Sequence, residues 1–159
     1  MSGLAAVLAG RQQPGVHQWH AAFDVADVRH AVEHAGWRFA HVDGWIASTK
    51  AEVLAALGEA LAFPAYYGQN LDALADCLAD VTADTVLLWD GWGTLARDDQ
   101  RAFRGVLAVL TERAQAGRAD AGQPGSDPTA SDGAGVAGRF AVLLRGDGPD
   151  LPDSVPSLD

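Results

Sequence analysis

Two stretches of this 159-residue chain gather side chains that could do chemistry. The first is His30-Ala31-Val32-Glu33-His34. On a helix this H-x-x-E-H spacing puts two imidazoles on one face around a carboxylate, the pattern by which some peptidases hold zinc and supply a base. His17 and His20 lie upstream as further candidate ligands. Against a zinc hydrolase built on His30, Glu33 and His34, no other acid stands out as the extra ligand that a catalytic site requires. The same spacing also fits a helix with Val28, Ala31, Val32 and Ala35 packed inward and a polar outer face. We expect that second arrangement and no metal.

The second stretch, Phe63 to Val81, carries Asp72, Asp76 and Asp80 at every fourth position, on one helical face. Carboxylates one turn apart are close enough for acid/base work, but that chemistry needs a cleft, and a solvent-facing helix offers a convex surface. Binding is the better expectation. Like charges at this spacing repel by a few tenths of a kcal/mol per pair, and there is no Lys, Arg or His between Ala51 and Ala96 to offset them. Only Asp72 is near enough to the helix start to gain from the dipole.

The elements that must hold these acids can be read in the same stretch. Pro64 stiffens the approach and Gly68 permits a tight turn. Asn70 is a good N-cap, and Leu71, Leu74, Leu78 and Val81 form the apolar face opposite the acids. Tyr66 and Tyr67 stand beside the helix start, and an aromatic next to uncompensated acids is the composition of a binding hot spot. Cys77 is the single cysteine, so the chain can form no internal disulfide, and its position is core-side.

The segment Tyr66 to Leu78, YYGQNLDALADCL, resembles the barstar family of intracellular ribonuclease inhibitors. Elements from Trp37 to Arg145 can be laid on that family's fold, and those before Trp37 cannot. The resemblance implies a protein that is not an enzyme, needs no cofactor, and binds a basic (barnase-like) ribonuclease or ribonuclease-like toxin. It implies that Tyr66 packs on the nuclease's catalytic histidine and that Asp72 and Asp76 are the main carboxylates, Asp76 entering the phosphate-binding site. Glu112 matches a further acidic contact. With Gly68, Asn70, Ala75 and Asp80 these residues make up the expected partner-binding set. The chain also departs from the best-known member: Ala75 and Val81 stand where it has Trp, and Gln69 where it has Glu. Losing the contacting Trp removes apolar contact area, and Asp80 adds a charge, so a barstar-like module aimed at another basic protein is the alternative.

Composition agrees with a protein partner. Acids outnumber bases 21 to 11, for a formal charge of -10. That argues against nucleic acid as a direct partner, since phosphate binding needs clustered Lys and Arg. It favours a basic partner steered by the field. With 48% hydrophobic residues the chain can bury a core. The apolar run in Met1–Gly10 is short and lacks a preceding basic residue, so neither a signal peptide nor a membrane span is expected, and a cytoplasmic monomer is.

In chain order the pattern predicts a short helix over Leu4–Ala9, a strand over Val16–Phe23 anchored by Trp19 and Phe23, and a helix over Val25–Ala35 capped by Asp24. A strand over Trp37–Val42 turns at Asp43-Gly44, and Ser48 caps a helix with Val53, Leu54, Leu57 and Leu61 inward. Thr85–Trp89 reads as a central parallel strand, and Asp98 or Asp99 opens a helix that runs to Ala116 and stops at Gly117. Phe140–Leu144 is the last strand. The expected architecture is α/β, a small parallel sheet flanked by helices. Residues 1–36 add an N-terminal strand–helix unit packed on the core, and 37–145 form the barstar-like domain. Within that domain 118–138 is a disordered insertion, and 146–159 is a mobile tail.

Overall fold

The computed structural model describes residues 2–64, 67–121, 138–152 and 155–158. The chain runs α1 (Ser2–Leu8), β1 (Val16–Trp19), α2 (Val25–His34), β2 (Arg38–Asp43), α3 (Lys50–Ala60), α4 (Leu71–Ala79), β3 (Thr85–Asp90), α5 (Gly93–Asp98), α6 (Gln100–Ala121), β4 (Phe140–Arg145) and β5 (Ser157–Leu158). The strands form one five-stranded sheet in the order β2-β3-β4-β1-β5, and every pairing is parallel. The parallel α/β expectation therefore holds.

The continuous apolar run of β3 is explained by its place. It pairs on both sides, Arg38 to Asp43 of β2 in register with Thr85 to Asp90, and these in turn with Phe140 to Arg145. A strand buried on both faces needs apolar residues at every position, not at alternate ones. Leu87 and Trp89 point into the layer shared with α3, α4 and α6, while Val86 and Leu88 point into the layer filled by Leu4, Val7, Val28 and Val32 of α1 and α2. The N-terminal unit thus supplies both the cover for the sheet's second face and a strand beside β4.

Several boundaries differ from the sequence reading. β1 ends at Trp19, because Arg145 takes the carbonyls of Ala21 and Phe23 out of any ladder. Thr49, not Ser48, caps α3: its hydroxyl accepts from the Glu52 N–H while the Glu52 carboxylate accepts from the Thr49 N–H, a capping box. The short helix α5 precedes α6, whose first turn is capped by Asp99 through the Ala102 N–H at 3.0 Å. α6 runs through Gly117, so 118–121 are helical and not part of a disordered insertion; glycine permits a helix end but does not impose one. Residues 122–137 of that expected insertion lie outside the described residues. In the tail, Ser157–Leu158 pairs with β1 and Leu158 is 3% exposed, which the expectation of a mobile tail did not foresee. Among the described residues no helix is long and apolar enough to cross a membrane.

Candidate functional site

The loop that delivers α4 is built from short-range constraints. Tyr67 lies edge-on to Phe63 with ring centroids 5.0 Å apart, and its hydroxyl donates to the Leu54 carbonyl of α3 at 3.0 Å. Gly58 makes room for that ring, since a Cβ there would come within 2.8 Å of it. Burial, and then the nearby Cys77 thiol, push the Tyr67 phenol up to about 12. Tyr67 is therefore an anchor of the loop. Tyr66, the aromatic expected to meet a partner, lies outside the described residues. The left-handed residue of the turn is Gln69, φ 52, and not Gly68. At Gly68 the space is tight: a Cβ on it would sit 3.2 Å from the Asn70 side chain, which would have to give by a few tenths of an ångström. That side chain accepts from the Ala73 N–H at 2.8 Å, closing the cap of α4.

From this start α4 buries Leu74, Cys77 and Leu78 and leaves Asp72, Ala75 and Asp76 exposed. The helix is shorter than its apolar spacing suggests, ending at Ala79 with exposed Asp80 as its C-cap. An acid at that position adds to the negative end of the helix dipole instead of offsetting it. Among the described residues no cation pairs with Asp72, Asp76, Asp80 or Glu112. The field of these acids is felt locally: burial first, then Asp80 and Asp76, raises the Cys77 thiol above its ordinary value.

α4 is fixed to its neighbour at both ends. Near its start, Leu71 packs against Gly105 of α6. At its end, Arg113 of α6, 5% exposed, donates Nε–H to the Leu78 carbonyl at 2.8 Å and Nη2–H groups to Val81 and Gly138 at 2.7 and 2.8 Å. A guanidinium thus satisfies carbonyls where the helix dipole is negative, and it also lies over the Phe140 ring at 5.4 Å. Glu112, the next residue back, is exposed on α6. Sequence reading missed Arg113, although the signal was present: it falls three residues after Leu110, on the inward stripe of α6.

The other titratable cluster lies at the carboxyl ends of the strands. Arg145 at the end of β4 forks onto Asp90 at the end of β3, with Nη2–Oδ2 at 3.0 Å, and His41 Nε2 meets the same oxygen at 2.9 Å. Burial alone would raise the Asp90 carboxyl, but the hydrogen bonds and charges of His41 and Arg145 hold it below the usual carboxylate range. On α2, His30 and His34 stack at 6.1 Å on an exposed face, and Glu33 pairs with Arg29 at 3.7 Å. Among the described residues no three metal-ligating side chains converge.

Residues 37–125 match the family model described as Barstar (barnase inhibitor). The chain belongs to the barstar family. The match covers β2 through α6, including the acidic face of α4, so a barnase-inhibitor-like module is present and the family to which it belongs is one of non-enzymatic inhibitors. No curated protein gives a significant match. Among solved structures, the Aeropyrum pernix ORC2 protein, in its ADPNP-ADP complexes, superposes with a TM-score of 0.53 at 15% identity, covering 92% of this chain and 39% of that one. CDC6P from Pyrobaculum aerophilum gives a TM-score of 0.48 at 18% identity, over 89% of this chain and 36% of that one. The chain spans well under half of either structure, and the first likeness shows a shared fold alone.

Proposed function

We propose that this barstar-family chain is an inhibitor or immunity protein that blocks the active site of a basic ribonuclease with carboxylates in place of phosphates. A ribonuclease must hold its substrate's phosphates with Arg, Lys and His in a concave, positive cleft. Its inhibitor needs acids held rigidly on a convex support that can enter that cleft. The observation that carries the reading is the set of exposed Asp72, Asp76 and Asp80 on α4, none paired with a cation among the described residues, on a helix capped by Asn70 and tied down by Arg113. Asp76 is the central residue, with Asp72 and Glu112 as flanking acids, Tyr66 as the packing aromatic, and Gly68 and Asn70 setting the loop. Ala75 leaves a small side chain beside Asp76, so the partner contributes the bulk at that point. The protein acts as a monomer in the cytoplasm.

Nucleotide chemistry is not favoured by the ORC2 likeness. The loop between β1 and α2, residues 20–24, reads His-Ala-Ala-Phe-Asp, with no glycine or lysine to cradle a phosphate. Calorimetric titration into a secreted, guanyl-preferring microbial ribonuclease tests the proposal. One-to-one binding is expected, with Asp76→Ala weakened by at least about 2 kcal/mol, roughly thirtyfold in Kd. Equal affinity of wild type and Asp76→Ala would contradict it.

A further inference from the structure

The outer edge of β2 is open: no strand pairs with it among the described residues. Arg38 and Gly44 donate their backbone N–H groups to Asp84 and Asp90 on the β3 side, at 2.7 and 2.6 Å. In a parallel ladder Ala40 and Val42 must face β3 as well, which turns the amides of Phe39, His41 and Asp43 outward. Such a row is a template for another strand, and folds usually blunt it with lysine, proline or a bulge. β2 uses none of these. It runs in unbroken register with β3, its sequence RFAHVD has no Lys or Pro, and Arg38 and Asp43 stand at its ends.

Beside this edge lies a groove of about 370 Å³ between β2 and α3. Ile46, Ala47, Ala56 and Ala60 give it an apolar wall, and Asp43 and Glu59 give it charge. Neither acid has an ion-pair partner among the described residues. The adjoining turn presents Trp45 and Ile46, 60% and 76% exposed. It is not loose. Asp43 Oδ1 accepts from the Trp45 N–H at 3.0 Å, and the Asp43 carbonyl accepts from Ile46 and Ala47 at 3.2 and 2.9 Å. The Trp45 ring rests on Gly91, where a Cβ would come within 2.8 Å of it. Large apolar side chains held in place before binding lose little freedom on contact.

We propose that this edge is a second docking site, taking an extended segment of a partner protein as an additional strand beside β2. Its aliphatic side chains sit against Ile46, Ala56 and Ala60, and its Lys or Arg side chains reach Glu59 and Asp43. The site shares no residue with the acidic face of α4 and does not depend on the ribonuclease reading.

The probe is a synthetic peptide, Lys-Val-Lys-Val-Thr-Val-Lys, with a copy N-methylated at alternate amides as control. Each is titrated into the isotope-labelled full chain. Amide shifts and slowed hydrogen exchange are expected at Phe39, His41 and Asp43, together with loss of binding by at least about tenfold in Ile46→Asp and in Glu59→Lys. Asp76→Ala should bind the peptide as wild type does. Both groove substitutions are at exposed side chains, so the variants stay folded. The proposal is overturned by equal binding of the N-methylated control, by shifts that follow α4 and vanish in Asp76→Ala, or by no response at millimolar peptide. It is also overturned if sedimentation shows a dimer that Ile46→Asp dissolves, because a second copy would then occupy the edge.

Discussion

Asp90 shows how one carboxylate can be held at the end of a parallel sheet. Its side chain is 15% exposed, and it is tolerable there because Arg145 and His41 both engage it. The folded-state value lies below the unfolded one. The stabilisation is therefore complete above the unfolded carboxylate value of about 3.9 and is lost as pH falls through it toward the depressed value. In Asp90→Asn, urea unfolding at neutral pH should show a loss of about 3 kcal/mol, and the acid limb of the stability curve should flatten. An unchanged acid limb would mean that other carboxylates govern it. None of this was legible in the sequence, where Asp90 reads only as the residue before a turn glycine. Its partners are 49 and 55 positions away.

At the scale of the element, α4 was largely legible because what defines it is local. The Asn70 cap, the leucine spacing and the acids outside them all lie within one short stretch, and the structure places them as the spacing requires. The reading failed where distant residues decide. Val81 extends the apolar spacing but lies beyond the helix, where its carbonyl accepts from Arg113. The choice between Ser48 and Thr49, by contrast, was local and legible: only Thr49 has a Glu three residues on, Glu52, to complete the capping box. Arg113→Met keeps an unbranched apolar stem and removes the guanidinium with all its donors. It should cost about 3 kcal/mol, by leaving buried carbonyls without partners, and weaken partner binding through α4. Denaturant midpoints measure the first effect. Unchanged stability would show that the α4 terminus does not need this arginine.

For the molecule as a whole, the sequence supported a parallel sheet of alternating strands and helices, which the structure shows. It did not reveal that β1 lies between β4 and β5, because a two-residue strand carries no periodic signal. Leu158 shares one buried layer with Trp19, Leu4 and Leu143, so the C-terminal residues help close the face covered by the N-terminal unit. Leu158→Ala should lower stability by about 2 kcal/mol, the low end for a buried leucine. A thermal midpoint equal to wild type would show that the last strand contributes nothing to the core.

The whole-molecule charge and the acidic face of α4 meet in a single experiment: titrating the chain against a basic microbial ribonuclease while RNA cleavage is followed, at rising salt, with Asp76→Ala alongside. The account predicts stoichiometric inhibition by wild type, weaker inhibition as salt screens the acids, and little or none by Asp76→Ala. Inhibition that is insensitive to both salt and Asp76→Ala would contradict it.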